Sequence, residues 1–499
     1  MSAKQGCEGL MKVLFVTAEV TPFSKVGGLA DVAGALPKAL HHLDTDIRVI
    51  SPGYGTIHWE NLTTKSEAKF DVNVGDKTFT ATILRTTLSE EDTVPVYFIR
   101  NEKLFDRKGI YVDPKTGEGY ADDDDRYLFF MRAVLQWIEH SDWTPDILHA
   151  NDHQTGLLPA FLNEGYPPES SMRKIRSVYT IHNMGYQGIY PESVLEKTGI
   201  HPNDTVQPEA FEFFGKVNFM KAALLYADKI NTVSPTYAKE IMSSEEFGFG
   251  LQDILSERKK DLSGILNGVD YREWSPETDE LIPYNYSRKN IEGKSENRSE
   301  LLRKNRLMAE RTTPVIGMVT RLVNQKGLDL IDEALEELLE LDMHLIVLGT
   351  GERRYHQMFE AAKKSFPEKV GINFAYNNSM AHLIEAGSDM FLMPSKYEPC
   401  GLNQMYSLRY GTIPIVHATG GLADTIRDYN PETHQGNGFA FREYSGDALL
   451  TAVKRAITTF RNKAQWKFLR DNAMRCDYSW EVSAMEYFKL YESTLGNRG

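Results

Sequence analysis

Short apolar runs recur along the whole chain, and most of them are followed by a stretch with the apolar spacing of a helix. The run 12–18 (KVLFVTA) precedes helical spacing over 26–43, and the run 315–320 opens the same alternation in the second half. Dense apolar runs of this length are typical of strands buried in a parallel sheet, and regular strand–helix alternation predicts right-handed crossovers. The pattern therefore predicts an α/β protein built on parallel sheets.

The remaining predicted elements fall into two sets, with a boundary near 261–266. Strands are expected at 47–51, 96–99, 147–150, 177–181, 229–233, 344–348, 372–375, 390–394 and 413–417, a hairpin over 70–89 with its turn at Gly75 and Asp76, and helices over 126–139 and 478–495. We interpret the polar stretch 283–298 as a surface excursion inside the second set. Ligands of open parallel sheets bind beyond the carboxyl ends of the strands, so two such sheets facing each other would form a cleft.

The pentapeptide Gly-Gly-Leu-Ala-Asp occurs twice, at 27–31 and at 420–424. Each copy follows a predicted strand and precedes a predicted helix. A glycine pair there permits a sharp turn and leaves N–H groups open to an anion at the helix N-terminus. Both copies are candidates for binding one shared phosphate-bearing ligand, with Lys25 as a neighbouring cation. The alternative for each copy is a tight strand–helix turn without a ligand.

Two charged clusters follow predicted strands of the second half. Arg321 and Lys326 come directly after 315–320, and an arginine fork with a lysine point charge can stabilise a departing diphosphate. Glu398 precedes the segment 400–403, which we interpret as a helix start whose N–H groups meet phosphate. The simpler interpretations are an exposed basic loop and a glutamate that caps a helix.

Histidine and aspartate side chains end two further predicted strands, at His149, Asp152 and His153 and at His182. They could hydrogen-bond sugar hydroxyls, although for any one histidine a structural hydrogen bond is the competing interpretation. The histidines lack the paired spacing of a zinc site. The acidic run 122–125 resembles a metal motif, but it precedes a predicted helix, where acids favour the N-terminus. We predict no catalytic metal and no cofactor.

Composition narrows the class of protein. Lys plus Arg is 56 and Asp plus Glu is 70, and the net charge of −14 argues against a general nucleic-acid partner. Cys7, Cys400 and Cys476 are far apart, so we expect no disulfide framework and assign Cys400 to packing. No apolar run reaches membrane-spanning length, and residues 1–10 lack a secretory apolar segment. We expect a cytoplasmic protein without a membrane partner.

A series of motifs in fixed order resembles the bacterial glycogen synthase and plant starch synthase family over about residues 11–495. The motifs are KVGGLADVAGALPKAL, DILHANDHQTGLLPA, YTIHNMGYQG, ADKINTVSPTYAKEI, GILNGVDYREWSPETD, TRLVNQKGLDL, PSKYEPCGLNQMYSLRYGTIPIV and TGGLADT. The resemblance implies the GT-B fold, with two Rossmann-like doubly wound domains and an interdomain cleft. The domains would be 11–262 on the acceptor side and 263–477 for the nucleotide sugar, with a helix in 478–499 crossing back to the first domain.

The resemblance also implies the reaction and its residues. The reaction is transfer of glucose from ADP-glucose to the non-reducing end of an α-1,4-glucan with retention, so the partners are a nucleotide sugar and a glucan polymer. The implied catalytic residues are Glu398, His182, Asp152, Lys25, Arg321 and Lys326. The implied substrate-binding residues are Gly27, Gly28, Asp31, Asn183, Tyr186, Gln187, Asn267, Tyr376 (at the adenine), Cys400, Gly401, Leu402 and Asn403.

The sequence departs from the family pattern at a few positions. Val26 and Asn403 stand where threonine is usual or common, and Asn151 and His153 replace the histidine and tryptophan often found around Asp152. Three other functions remain open: a GT-B enzyme that uses UDP-glucose or a different acceptor, including an epimerase; a non-catalytic glucan or nucleotide sensor; and a glucan phosphorylase, for which we find no pyridoxal-phosphate lysine context.

Overall fold

The computed structural model describes residues 10–89, 91–200, 208–308, 310–375 and 377–496. It contains two compact units. Unit 1 comprises the described residues up to Val233, Ala238–Gly268 and those from Trp480 onward, and unit 2 comprises Ser234–Tyr237 and Val269–Ser479. The boundaries between the two units follow Gly268 and Ser479, a few residues after the domain limits of 262 and 477 expected from the sequence.

Unit 1 is built on one large sheet and one small one. Its strands are β1 (Met11–Val16), β2 (Thr45–Pro52), β3 (Lys65–Val74), β4 (Lys77–Thr87), β5 (Pro95–Arg100), β6 (Ile147–Asn151), β7 (Arg176–Ile181), β8 (Ile189–Pro191), β9 (Lys216–Asn218), β10 (Lys229–Thr232) and β11 (Leu262–Gly264). Its helices up to that point are α1 (Gly28–His41), α2 (Glu102–Phe105), α3 (Asp123–His140), α4 (Leu158–Glu164), α5 (Val194–Thr198), α6 (Phe219–Tyr226), α7 (Pro235–Ser243, whose first turn belongs to unit 2), α8 (Glu245–Gly248) and α9 (Gln252–Glu257).

The large sheet of unit 1 is doubly wound. Its order is β11-β10-β7-β6-β1-β2-β5-β4-β3, so the chain starts in the middle, runs outward through β2 and β5, and returns to β6 for the other half. The strands from β11 to β5 pair in parallel, and β3–β4 is the predicted antiparallel hairpin. The direction of winding reverses between β1 and β6, which is where open α/β sheets bind ligands.

Unit 2 repeats this plan with a smaller, wholly parallel sheet. Its strands are β12 (Val315–Val319), β13 (His344–Leu348), β14 (Val370–Asn373), β15 (Met390–Met393), β16 (Ile413–His417) and β17 (Phe439–Phe441). Its helices are α10 (Glu292–Lys304), α11 (Leu328–Glu340), α12 (Arg353–Ser365), α13 (Asn378–Gly387), α14 (Asn403–Tyr410), α15 (Gly420–Thr425), α16 (Gly446–Arg461) and α17 (Lys463–Met474). The sheet order β14-β13-β12-β15-β16-β17 reverses between β12 and β15.

The polar stretch 283–298 lies in unit 2 and is mostly exposed, as the sequence indicated, but it is not a loop throughout. Its second part begins α10, where Lys294 is buried, and the Lys294 Nζ donates hydrogen bonds to Thr412 Oγ1 at 2.6 Å and Ala386 O at 3.0 Å. Burial lowers the pKa of Lys294 to about 7. Polar residues that are satisfied inside the protein give no apolar pattern, which is why the sequence did not reveal this helix.

The final helix, α18 (Trp480–Gly496), belongs to unit 1, where it packs against α1 and β7. Buried His149 joins it to the sheet: His149 Nδ1 lies 2.7 Å from Tyr491 Oη, and Nε2 lies 2.7 Å from Thr180 Oγ1. Burial lowers the pKa of His149 to about 3, so this ring is neutral. His149 therefore has the structural role that the sequence left as an alternative. Within the described ranges, no helix is both long and apolar enough to cross a membrane.

Candidate active site

The loop after β1 carries the first glycine pair of unit 1. Buried Glu19 fixes this loop, because its Oε2 accepts hydrogen bonds from the N–H of Val26 and from the N–H of Gly27 at 2.9 Å. Glu19 Oε1 accepts a hydrogen bond from Tyr111 Oη at 2.6 Å. These two N–H groups, one of which belongs to the glycine pair, are thus bonded to a carboxylate and are not open to an anion. Glu19 is a site residue that we missed, and its only signal was an acid directly after a buried strand.

Lys25 and Asp31 form an ion pair at 2.6 Å over the start of α1. The Lys25 side chain is 48% exposed, so the pair contributes little to stability and Lys25 is accessible from solvent. A side chain at Gly27 would meet nothing within 4 Å. The surface beside the first glycine pair is therefore open, next to the β1/β6 switch point of the sheet.

Asp152 lies on the other side of that switch point, directly after β6. Its φ of 56° is unusual for a residue other than glycine and marks stored backbone strain. Asp152 Oδ1 accepts a hydrogen bond from the His182 N–H at 2.8 Å, which joins the ends of β6 and β7. Burial raises the pKa of Asp152 to about 7, although backbone N–H groups of His182 and Asn183 oppose this shift.

The tautomer of His182 follows from its neighbours. Asn151 Nδ2 donates to Val16 O at 3.0 Å, so Asn151 Oδ1 is the atom that accepts a hydrogen bond from His182 Nε2 at 2.9 Å. Burial lowers the pKa of His182 to about 3, so the ring is neutral. Nε2 therefore carries the proton, and Nδ1 keeps the lone pair that can accept a hydrogen bond.

The other predicted residues of unit 1 have different environments. Buried Gln187 uses its amide within the protein: Nε2 donates to Phe249 O at 3.1 Å and Oε1 accepts from Asn218 Nδ2 at 2.6 Å. Its side chain holds a loop, and the substrate contact expected from the resemblance stays a prediction.

Asn183 Oδ1 accepts a hydrogen bond from the Gly185 N–H at 2.9 Å, and Tyr186 is 56% exposed. Asn267 is buried, and its Oδ1 has no hydrogen-bond partner among the described residues. An unpaired buried oxygen is costly, which makes Asn267 the predicted residue of unit 1 with the clearest capacity for a further contact.

In unit 2 two of the predicted charged residues, Lys326 and Glu398, meet at the β12/β15 switch point. Lys326 Nζ lies 2.6 Å from Glu398 Oε2, and the two side chains are only 18% and 7% exposed. Ser395 Oγ donates to the same carboxylate oxygen at 2.9 Å. Gly327, with φ of 72°, lets the two loops approach, because a Cβ there would lie 2.0 Å from Pro394 O. The sequence predicted both charges but not that they form one buried ion pair.

Arg321 follows β12 and is exposed. It lines a cavity of about 140 Å³ at the carboxyl edge of the sheet, together with Thr350 and Asn377. Tyr376, expected at the adenine, lies outside the described residues. The Arg321 guanidinium thus stands at the edge of the sheet where a ligand of unit 2 would bind.

The segment 400–403 is not a helix start as a whole. Helix α14 begins at Asn403, and Gly401 has φ of 70°. Cys400 is buried, in agreement with its assignment to packing. Only Asn403 of the predicted phosphate-binding residues lies within the helix, where its Nδ2 donates to Val319 O at 3.3 Å.

The second glycine pair packs against protein backbone. Gly420 has φ of 44°, and a Cβ there would lie 2.0 Å from Glu398 O. A Cβ at Gly421 would lie 2.1 Å from Cys400 O, and the Gly421 N–H donates to Glu398 O at 3.1 Å. This copy of the pentapeptide therefore forms the tight turn that the alternative interpretation expects, packed against the backbone of 398–400.

The acidic run 122–125 is paired with cations. Arg107 Nη1 lies 2.7 Å from Asp122 Oδ1, and Lys197 Nζ lies 2.8 Å from Asp125 Oδ1. Helix α3 begins at Asp123, as the helix-start interpretation expects. In the described parts of the chain, no three His, Cys, Asp or Glu side chains are grouped so that they could hold a metal ion.

Comparisons with known proteins identify the class. A family model described as the starch synthase catalytic domain matches residues 12–257, and one described as glycosyl transferases group 1 matches residues 302–467. The glycogen synthase of Thermosipho melanesiensis is 45% identical over 493 residues, covering 98% of this chain and 100% of that protein. The glycogen synthase of Thermotoga maritima is 41% identical over 506 residues, with the same coverage of 98% and 100%.

Solved structures agree with these relatives. The catalytic domain of starch synthase IV from Arabidopsis thaliana, bound to ADP and acarbose, has a TM-score of 0.89 at 32% identity, covering 98% of this chain and 100% of that one. The sucrose-phosphate synthase of Thermosynechococcus elongatus, at 14% identity and a TM-score of 0.58 over 97% and 99% of the two chains, shares the fold alone. The two units are those of a GT-B glycosyltransferase, which confirms the predicted fold class. The chain belongs to the glycogen synthase and starch synthase family.

Proposed function

We propose that the protein transfers glucose from ADP-glucose to the non-reducing end of an α-1,4-glucan, with retention of configuration and without a metal or cofactor. The observation that carries this proposal is the buried Lys326–Glu398 ion pair at the β12/β15 switch point, with Arg321 after the same strand. Membership in the family and the ADP and acarbose bound to the Arabidopsis relative support the choice of donor and acceptor.

The charges of unit 2 suit a departing diphosphate. Arg321 would hold phosphate oxygens in its fork, and Lys326 would supply a second positive charge as the bond to glucose lengthens. Glu398 fixes Lys326 Nζ at 2.6 Å, so this cation needs no rearrangement when charge develops. We favour attack by the acceptor on the face that the diphosphate leaves, assisted by the leaving phosphate, over a covalent carboxylate intermediate.

The residues of unit 1 suit the transferred glucose. Neutral His182 offers Nδ1 as an acceptor for a sugar hydroxyl, and Asp152 offers its carboxylate, whose pKa of about 7 follows from burial. Lys25 lies on the open loop before α1, where its ammonium group would approach the donor. Binding by several fixed groups orients the sugar for transfer and reduces the access of water that would hydrolyse the donor.

The test is a transfer assay with glycogen and either radiolabelled ADP-glucose or UDP-glucose. We expect label in the polymer from ADP-glucose, α-1,4 linkages in the product, and retained activity after chelation with EDTA. Equal or preferred use of UDP-glucose would overturn the donor assignment, and loss of activity with EDTA would overturn metal independence.

A pair of matched variants tests the role of the Lys326–Glu398 ion pair. Glu398→Gln keeps the shape of the side chain but removes the charge that fixes Lys326, so turnover is expected to fall about a hundredfold or more. Glu360→Gln changes an exposed glutamate of α12 in the same way and should leave turnover unchanged. Equal turnover in the two variants would contradict the role assigned to the ion pair.

A further inference from the structure

The connection into β9 ends in a two-residue turn that places a phenylalanine in an unusual conformation. Phe213 and Lys216 exchange backbone hydrogen bonds of 2.7 and 3.1 Å, and the central residues Phe214 and Gly215 have φ of 50° and 74°. Positive φ at both central positions is the pattern of a type I′ turn, in which asparagine, aspartate or glycine normally stands first. Phenylalanine is disfavoured there, so the turn chemistry does not explain Phe214.

Packing does not explain Phe214 either, because the residue is 83% exposed. Its ring contacts Phe213 edge-on, with centroids 4.7 Å apart. Glu212 Oε1 accepts a hydrogen bond from the Gly215 N–H at 2.7 Å, which holds the turn in this conformation. A strained backbone that exposes a large apolar side chain to solvent indicates a ligand-binding or partner-binding surface.

A second loop adds another aromatic ring to this surface. Phe249 also has a positive φ, of 49°, and is 37% exposed. The next residue, Gly250, lies against the turn, since a Cβ there would be 2.8 Å from the ring of Phe213 and 3.6 Å from that of Phe214. We call Phe213, Phe214 and Phe249 the aromatic platform.

The aromatic platform is joined to the loop that carries His182. Gln187 lies on that loop, and its amide donates to Phe249 O at 3.1 Å and accepts from Asn218 Nδ2 at 2.6 Å. Asn218 ends β9, the strand that follows the turn. The buried amide of Gln187 thus fixes both halves of the platform relative to the loop proposed to hold glucose.

We propose that the aromatic platform binds an α-glucan chain. It would hold the polymer close to His182 and Asp152, the residues proposed to bind the transferred glucose. Glucose rings are uncharged and present C–H faces that pack on aromatic rings, and the charged residues that flank the turn, Glu212 and Lys216, carry opposite signs and give no preference for an ion. This inference rests on the proposed function, because a glucan acceptor is what makes a sugar polymer the expected occupant.

The test is Phe214→Asn, since asparagine suits the positive φ of the turn while removing the ring. We expect the unfolding midpoint to stay the same or rise, and affinity for glycogen, measured by electrophoresis in glycogen-containing gels, to fall about three- to tenfold, the value of one aromatic contact. The KM for ADP-glucose should not change. The control is Phe468→Asn, which removes a 52% exposed ring of α17 and should leave glycogen affinity unchanged.

Unchanged glycogen affinity in Phe214→Asn would overturn the inference. So would a change in oligomeric state by analytical ultracentrifugation with glycogen affinity intact, since the platform would then bind a second copy of the chain. Because gel binding needs no turnover, its outcome is separate from the proposed function. A wild-type protein that binds glycogen through Phe214 but does not use ADP-glucose would refute only the reaction.

Discussion

Alanine in place of Gly420 is expected to destabilise unit 2, whereas alanine in place of Gly27 is expected to leave unit 1 as stable as before. The two glycines occupy the same position in identical pentapeptides. Gly420 has φ of 44°, and an added Cβ would lie 2.0 Å from Glu398 O. Gly27 has φ of −137°, which any residue adopts, and its added Cβ would meet nothing within 4 Å.

The cost at Gly420 has two parts. Holding alanine in the left-handed region costs about 1–2 kcal/mol, and the contact with a backbone carbonyl is overpacking that costs about 1–3 kcal/mol more. The atom in the way belongs to the backbone of Glu398, so it cannot move without shifting the carboxylate that holds Lys326. We therefore expect a loss of about 2–5 kcal/mol in the free energy of unfolding, together with a large loss of transfer activity.

Urea unfolding followed by circular dichroism, with glucose transfer measured on the same preparations, separates the two variants. Gly27→Ala should keep its unfolding midpoint but lose activity, because its methyl group would occupy the open surface beside the β1/β6 switch point. If Gly420→Ala unfolds at the wild-type urea concentration, the second pentapeptide does not pack as described. If Gly27→Ala is fully active, no substrate approaches the first pentapeptide.

Three further predictions concern single contacts. Arg321→Ala removes a charge-assisted contact of about 1.5–3 kcal/mol, so kcat/KM for the donor should fall about ten- to a hundredfold; a change confined to the acceptor KM would contradict this. The folded-state pKa of His149, about 3, lies below the unfolded value near 6.5. The stability that neutral His149 allows is therefore present above pH 6.5 and is lost as pH falls towards 3, at about 1.4 kcal/mol per pH unit. In urea titrations, the free energy of unfolding of His149→Gln should fall less between pH 7 and pH 5 than that of the wild type. Tyr111→Phe removes the hydrogen bond to Glu19 and should cost about 1–3 kcal/mol of unfolding free energy with lower turnover; unchanged turnover would separate Glu19 from the candidate site.

The sequence predicted the buried strands well and the exposed or polar elements poorly. The expected strands at 344–348 and 413–417 coincide with β13 and β16, because residues buried on both faces of a parallel sheet form uninterrupted apolar runs. The short strands β8, β9 and β17 have no such run and were missed. Helix α10 was missed because its buried face includes Lys294 and Asn297, which hydrogen bonds satisfy.

For the candidate site, the sequence predicted which residues follow the strands but not what those residues contact. Lys326 and Glu398 are 72 positions apart, and only the winding of the sheet brings β12 beside β15. In the same way, the sequence did not predict that Glu19 bonds the glycine loop or that the Gln187 amide bonds Phe249 and Asn218. A side chain's hydrogen-bond partners come from other strands and loops, so residue type and spacing cannot separate a ligand contact from a structural one.

The repeated pentapeptide suggested two equivalent anion sites, but what the two units share is a fixed buried carboxylate at the switch point of each sheet. In unit 1, Glu19 occupies the N–H groups of the glycine loop, and in unit 2, Glu398 is held by Lys326, by Ser395 and by the glycines packed behind it. A carboxylate fixed on several sides keeps its neighbouring cation or loop in one geometry, so little reorganisation is needed when charge develops on a ligand. The same glycine pair is open at Gly27 in unit 1 and packed against backbone at Gly420 in unit 2. In each unit the pair lies close to the residue that supplies this carboxylate, since Gly27 donates to Glu19 and Gly421 donates to the Glu398 backbone.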